Sequence, residues 1–319
     1  MPECRAPGVF ATSGVPAARR VELWESHNAA ALIGLDVRSP GPLDATEVNV
    51  KLARARLARV YGSAHAVERT AAVIDRSPAD SVAVYLTLRG DARFTSQDGS
   101  YRLRPGDALV CATDRPFTRE FPRGLAELVI TVPRSALADR AATRLDTPVI
   151  TSFGAPAADA PGFPYARALT RVAGQATRTR RPLTPDEGTV LDLVAVLADG
   201  RNADRVTAHR AAARSYAEEH LADPNLGADE IATAIGLSER QLSRVFAAGG
   251  TSVPRHILSR RLELAHALLS GPGEAGTVAD VAARCGFTSA AYFSHAFRQR
   301  FGYRASEVRR AVLAAAPLP

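Results

Sequence analysis

The chain has 319 residues, 46% hydrophobic and 23% charged, enough for about two domains that each bury a core without staples. Lys+Arg number 40 against 33 Asp+Glu, a formal charge of +7, and Lys51 is the only lysine. Arginine-borne charge permits a nucleic-acid partner and excludes an acidic, disordered chain. Cys4, Cys111 and Cys285 are too few and too scattered for a disulfide framework or a metal cluster, which fits a reducing cytoplasm. Met1–Arg20 lacks the apolar core of a signal peptide, and no run of 18 apolar residues predicts a membrane span.

Along the chain, the first twenty residues read as loosely ordered. Glu22–Ala31 reads as a short helix that Val21, Trp24 and Leu32 anchor. From Val48 to Val132 the period changes to two. Val48, Val50 and Leu52 alternate with polar or small residues, as do Val82, Val84, Leu86 and Leu88 before Gly90. Such runs predict half-buried strands. Phe94 belongs to the next strand, and Asp98-Gly99 is a hairpin signal before Tyr101 and Leu103. Pro105-Gly106-Asp107 turns the chain into Ala108–Cys111, and Leu128, Ile130 and Val132 alternate up to Pro133. Many short strands with such turns predict a small antiparallel barrel or sandwich. Beyond it come a short helix at Ser135–Ala141, a loop at Pro161–Pro164, and apolar helical spacing over Tyr165–Arg178 and Asp186–Leu197. Polar Asp199–Arg205 marks the boundary between a first domain over residues 1–200 and a second over 207–315.

The second domain reads as helical throughout. From Thr207 onward it carries 13 arginines and 10 acids, a net charge of +3, modest for a DNA-binding domain. Its information lies in an approximate repeat. Ile231-Ala232 and Val281-Ala282 each precede a stop at glycine, Gly236 or Gly286, followed by an apolar plug, Leu237 or Phe287. A hydroxyl residue then caps the next helix: Ser238 in the first copy, Thr288 or Ser289 in the second. Leu242, Val245 and Phe246, and likewise Phe293, Ala296 and Phe297, form the inward stripes. The alanine allows a close helix crossing, and the whole is a helix-turn-helix pattern written twice. Between the copies, Pro254 to Leu269 forms an amphipathic rod of about 24 Å at 1.5 Å per residue. Such a rod can set two recognition helices into successive major grooves, about 34 Å apart. Thr277 with Asp280 reads as a capping box opening the second copy.

These residues carry a resemblance. Arg261-Leu262-x-x-Ala265, then Cys285-Gly286-Phe287 with Phe293-Ser294-x-x-Phe297, and Phe301-Gly302-Tyr303 resemble the AraC/XylS (arabinose-regulator-like) family of bacterial transcription regulators over about Thr207–Arg310. Val21-Glu22-Leu23-Trp24, Glu68-Arg69-Thr70, and Leu103-x-Pro105-Gly106-Asp107 with Arg115-Pro116-Phe117 resemble a family form of effector-binding domain. The resemblance implies a multidomain chain: an N-terminal, mostly-β, cupin-like barrel with accessory helices, and a C-terminal all-α domain with two helix-turn-helix units joined by a long helix. It implies a DNA-binding regulator responsive to a small-molecule effector. The partners expected are double-stranded promoter DNA, the effector, RNA polymerase and a second copy of the chain, with the helices between Tyr165 and Leu197 as the dimer interface.

Outward positions on the first recognition helix are Glu239, Arg240, Ser243 and Arg244. Either arginine can fork onto guanine, or can only position the backbone on phosphates. The resemblance also places base contacts at Arg240, Ser243 and Arg244. On the second helix the DNA-binding candidates are Ala290, Ala291, Tyr292, Ser294 and His295, where the family often has arginine at the position of His295. Arg298 and Arg300 read as phosphate contacts or a solvated face. In the barrel, an inner face carrying Val82, Val84, Leu86 and Phe94 suits a small apolar or aromatic ligand, while alternation alone leaves open which face of a strand is the inner one. Trp24, Arg69, Tyr85, Phe94 and Phe117 are the effector-binding candidates, with packing or an ion pair as their plainer roles. His27 and His65 form no HxH pattern, so neither a metal, a cofactor nor a catalytic residue is expected. Two other readings compete: a barrel that only dimerises, and, more remotely, a cupin-type enzyme fused to the DNA-binding half.

Overall fold

The alternating runs of the first half fold into twelve strands and four helices among the described residues, which are 7–140, 145–154, 163–180, 182–200, 204–271 and 276–315 of this computed structural model. In chain order these are β1 (Gly8–Ala11), α1 (Arg20–Ala31), β2 (Asp36–Arg38), β3 (Ala45–Lys51), β4 (Arg56–Gly62), β5 (His65–Arg69) and α2 (Ala71–Arg76). Then follow β6 (Ser81–Arg89), β7 (Ala92–Ser96), β8 (Gly99–Leu103), β9 (Asp107–Ala112), β10 (Phe117–Phe121), β11 (Leu125–Pro133), β12 (Val149–Ser152), α3 (Phe163–Ala176) and α4 (Glu187–Asp199). The chain divides into two compact units: Met1–Thr177 with Glu187–Ala208, and Arg178–Asp186 with His209–Pro319.

The first unit corrects the expected barrel. A seven-stranded sheet, β1-β3-β4-β11-β6-β9-β12, and a five-stranded sheet, β2-β5-β10-β7-β8, share no strand. Each sheet therefore ends on two outer strands and stays open, where a closed barrel has no edges. Every pairing is antiparallel. The two sheets pack face to face, because Val67, Phe94, Phe117 and Phe121 of one share a core with Ala58, Tyr85, Leu109 and Val129 of the other. Helices α3 and α4 cover the other face of the larger sheet, packing on β4, β11 and β12 and on β6 and β9. Strand β6 is consequently buried on both faces, not on one as its alternation suggests. Ala83 and Tyr85 point between the sheets, whereas Val82, Val84 and Leu86 do not join that core and lie on the helix-covered face. Of the apolar side chains considered for an inner face, Val82, Val84 and Leu86 thus lie under the helices, while Phe94 lies between the sheets.

Other differences are local. The supposedly loose N-terminus pairs β1 with β3. The two-residue β7–β8 loop is Gln97-Asp98, one position earlier than expected, with Gly99 at φ 138 beginning β8. In place of a helix at Ser135–Ala141 there is a single 3-10 turn, Arg134–Ala136. Cys4, Ala141, the start of the Pro161–Pro164 loop, Arg201–Ala203 of the linker and the Pro272-Gly273 stop lie outside the described residues.

The second unit continues with α5 (Arg205–His220, of which His209 onward belongs to it), α6 (Ala228–Ala234), α7 (Glu239–Ala248), α8 (Val253–Ser270), α9 (Val278–Arg284), α10 (Ala290–Phe301) and α11 (Ala305–Ala315). It has two cores. Ala213, Ala217, Ile231, Ala232, Leu242 and Phe246 close on Val253 and Ile257 at the start of α8. Val281, Ala282, Cys285, Phe293 and Phe297 close on Leu262, Ala265 and Leu269 further along it. One helix, about 27 Å long for its 18 residues, serves both cores with successive parts of one stripe.

Candidate nucleic-acid interface and sensor interior

Each recognition helix is set by its turn. Gly236 and Gly286 adopt φ of 71° and 79°, a conformation only glycine takes cheaply. Ser238 then caps α7 by accepting from Gln241 N, while the Gln241 side chain accepts from Ser238 N, a complete capping box. In the second copy Ser289, not Thr288, caps α10, accepting from Tyr292 N at 3.2 Å. The Thr277–Asp280 box opens α9, and its hydrogen bonds hold the Asp280 carboxyl below the usual carboxylate range.

Burying Leu242, Val245 and Phe246 turns Arg240, Ser243 and Arg244 outward on α7, all exposed. Arg240 and Arg244, one turn apart on the same face, make no ion pair among the described residues. On α10, Phe293, Ala296 and Phe297 point inward, while Ala290, Ala291, Tyr292, Ser294, His295 and Arg298 are exposed. Tyr292 stands 54% exposed, unusual for a large aromatic. Ser294 donates its hydroxyl to Ala290 O at 2.9 Å, so that proton is spent within the helix. Arg300 pairs with Glu263 of α8 at 2.6 Å, so it buttresses the rod and is not a free surface cation. Cys111 and Cys285 are buried, and burial pushes each thiol up to about 12, which makes them inert.

The effector candidates do not converge on one site. Arg69 is fully buried and donates to three carbonyls, those of Thr113, Gly34 (2.6 Å) and Ser77 (3.0 Å). Phe94 and Phe117 pack on each other at 5.6 Å. Trp24 and Tyr85 do face a common cleft of about 30 Å³, together with Asn28, His65, Arg119 and Glu127. There Arg119 reaches across from β10 to grip both oxygens of Glu127 on β11 (2.9 and 2.7 Å), and its guanidinium lies 3.7 Å over the Tyr85 ring. The pair is buried, and burial drives the Tyr85 phenol far above its ordinary value. Sequence reasoning missed Arg119 and Glu127, although both sit in phase with buried apolar neighbours: Phe117-x-Arg119-x-Phe121 and Leu125-x-Glu127-x-Val129. A wider, open groove of about 920 Å³ lies along the five-stranded sheet, bordered by Arg38, Arg93, Arg102 and Arg123 with Asp91 and Glu120.

Two helix-turn-helix units on one shared helix, each presenting a capped second helix outward, define a bipartite DNA-binding protein. The chain belongs to the AraC-type family of helix-turn-helix transcription regulators: the AraC-binding-like domain family matches residues 26–200 and a helix-turn-helix domain family matches residues 231–311. It is 35% identical over 128 residues to the transcriptional activator RhrA of Rhizobium meliloti (strain 1021), a match spanning 39% of this chain and 41% of that protein. It is 25% identical to the transcriptional activator NphR of a Rhodococcus species, over 76% of this chain and 74% of that one. Among solved structures, the AraC-like transcriptional activator CuxR is 19% identical, with a TM-score of 0.48 over 88% of this chain and all of that one. Family membership makes this chain a DNA-binding regulator and not an enzyme. No three His, Cys, Asp or Glu among the described residues group to hold a metal, and no helix among them is long and apolar enough to cross a membrane.

Proposed function

We propose that the protein is an effector-responsive regulator of transcription initiation that reads two successive major grooves of promoter DNA. The reading is carried by α8, whose single apolar stripe closes both helix-turn-helix cores. The two copies are thereby built as one reader. In this proposal Arg240, Ser243 and Arg244 supply most of the polar base readout. Ala290, Ala291, Tyr292, Ser294, His295 and Arg298 supply shape, apolar and phosphate contacts. A small molecule held by the β-sandwich shifts the competence of the DNA-binding unit, a coupling that must be reciprocal. RNA polymerase and a second copy of the chain are the protein partners, with the outward face of α3 as the dimer surface; α4, the other helix expected there, is buried from Thr189 to Ala198 against α3, β6 and β9 and offers none. Activation is favoured over repression by the names of the relatives RhrA and NphR.

A second reading has an observation of its own. The cleft between the sheets, about 30 Å³, holds about one or two waters, which favours a sandwich that only dimerises. One experiment addresses both. Purified protein is titrated onto fragments flanking its own gene at fixed salt, with random DNA as competitor, before and after addition of candidate small molecules. Selective binding that a small molecule alters supports the first reading. Selective binding indifferent to every small molecule favours the second, and equal affinity for all fragments refutes sequence-specific regulation.

A further inference from the structure

The outer face of the five-stranded sheet gathers its cations into one row. Pairing aligns Arg38, Ala66, Glu120, Arg93 and Arg102 across β2, β5, β10, β7 and β8. Register partners project to the same side, and the four charged ones are exposed. The next outward row, Asp36, Glu68, Thr118, Thr95 and Ser100, holds no cation. Positive charge therefore sits at one end of the sheet, where Arg123 of the β10–β11 turn joins it beside the groove of about 920 Å³. The backbones of Arg38 and Arg93 are three strand spacings apart, about 14 Å. In that row only Ala66 and Glu120 stand between them, and the small Ala66 side chain leaves the groove its depth.

The carboxylates of the groove do not balance its guanidiniums. Arg102 and Arg123 both donate to one oxygen of Asp91, at 2.6 and 2.8 Å. Arg93 approaches Glu120 at 3.8 Å, beyond hydrogen-bond reach. Arg38 pairs with Glu68. Four guanidiniums thus face two carboxylates within the groove, Asp91 and Glu120, and three when Glu68 is counted. Arginine stays charged at every physiological pH, so the excess is permanent. Its planar fork matches a carboxylate, and most of these N–H groups remain unspent. The floor of the groove is thin. His65 and Phe121 are buried, with their rings 4.9 Å apart, and they line both the groove and the 30 Å³ cleft between the sheets. On the cleft side the Arg119 guanidinium lies 4.9 Å from the Phe121 ring. The cleft has room for about one or two waters, whereas the groove has room for an organic molecule.

We propose that this groove is the effector site and that its ligand is a small organic dianion. One carboxylate is held by Arg93, Arg102 and Arg123, the other is turned toward Arg38, and the carbon skeleton lies over Ala66 and Phe121. The proposal rests on the effector reading above, and it moves the sensing surface from between the sheets to the outer face of the smaller one. Phe121 and His65 carry the event inward, since the same two rings wall the cleft that holds Arg119, Tyr85 and Trp24.

The test uses the full-length protein with succinate, adipate and phthalate as probes and their neutral diamides as shape controls. Inorganic phosphate tests for bare attraction of anions. Binding is read by calorimetry and by the emission of Trp24, the chain's only tryptophan, which lines the cleft behind Phe121. At least one dianion is expected to bind about tenfold more tightly than its diamide, or better. Arg93→Gln gives up only the 3.8 Å approach to Glu120 and is expected to weaken that binding about tenfold. Ala66→Glu sets a carboxylate on the groove floor and is expected to abolish it. Arg54→Gln, at an exposed arginine in the β3–β4 turn of the larger sheet, is the control and should change nothing. The proposal is overturned by diamides binding as tightly as dianions, by phosphate matching the organic dianions, or by Arg54→Gln weakening binding as much as Arg93→Gln. Binding that leaves Trp24 emission unchanged refutes the inward route. Parallel titration onto the flanking DNA separates the two readings. Selective DNA binding with no dianion bound refutes this proposal alone, and so does a bound dianion that leaves selective DNA binding unaltered. Absence of selective DNA binding under every condition refutes the regulator reading.

Discussion

Gly236 and Gly286 occupy equivalent turns fifty positions apart, yet their replacement by alanine has unequal consequences. Both have positive φ, 71° and 79°, so alanine costs each about 1–2 kcal/mol of backbone strain. At Gly236 a Cβ meets nothing within 4 Å, and that strain is the whole effect. At Gly286 a Cβ lies 2.6 Å from Leu221 O and 2.8 Å from Arg261 Nε. Those two atoms are themselves hydrogen-bonded, at 3.0 Å, and Arg261 also donates to the carbonyl of Asp223. The added methyl group therefore lands on a clamp that ties α8 to the chain just after α5. Displacing a guanidinium from backbone carbonyls forfeits about 1.5–3 kcal/mol per charged hydrogen bond when buried, less here because Arg261 is partly exposed. Gly286→Ala is expected to cost about 3–4 kcal/mol in total and Gly236→Ala about 1–2 kcal/mol.

The assay is urea unfolding of each full-length variant, followed by far-ultraviolet circular dichroism for the helices and by Trp24 fluorescence for the sandwich. The dichroism midpoint should fall further in Gly286→Ala than in Gly236→Ala. Equal shifts, or a larger one for Gly236→Ala, show that the clamp contributes nothing beyond the shared backbone conformation.

Three further outcomes follow from particular residues. Phe297 is fully buried in the second core, and Phe297→Ala should cost about 3–5 kcal/mol; an unchanged melting temperature contradicts its place there. Arg244→Ala should weaken binding to the specific site far more than to random DNA, whereas equal losses on both mean a phosphate contact. His256 is buried against Phe246 with Nε2 unpartnered, and burial lowers its pKa to about 4. Because the folded value lies below the unfolded 6.5, its contribution is fully present above pH 6.5. It is lost as pH falls toward 4, by about 3 kcal/mol for the 2.5-unit gap. The helical transition should weaken over that window in wild type and less in His256→Leu; the same slope in both variants contradicts the assignment.

The helical half was legible because its signals are local. Stop glycines, cap hydroxyls and apolar stripes lie within a dozen residues of one another, and Ser238, Thr277 and Leu242 do in the structure what their neighbours imply. The sandwich was less legible because strand faces are assigned by partners far along the chain. Val82, Val84 and Leu86 alternate correctly, but period two cannot say which set faces the other sheet once helices cover the second face. Closure is less visible still: whether outer strands such as β1 and β12 meet depends on every intervening register. An interior polar row of the larger sheet was hidden for the same reason, since Glu47, Glu127 and Thr87 come together only through β4 and β11.

The two recognition helices also differ in what they leave available, and this bears on how a promoter is read. On α7, Arg240 and Arg244 are exposed, share a face and are free of ion pairs among the described residues, so each can offer a bidentate fork to guanine. On α10, Ser294 has given its proton to Ala290 O and Arg300 is held by Glu263. Tyr292, His295 and two alanines remain over the helix's first turns, with Arg298 further along. These groups suit thymine methyls, groove shape and phosphates better than a hydrogen-bond code. Base substitutions in the half-site under α7 should therefore cost about 1–3 kcal/mol each, and those under α10 a smaller amount spread over more positions. The measurement is affinity for a set of singly substituted operators at fixed salt. A larger single-base penalty in the α10 half-site than in the α7 half-site refutes this division of labour, because α10 exposes one arginine unpaired among the described residues, Arg298 in its last turn, against the two on the first turns of α7.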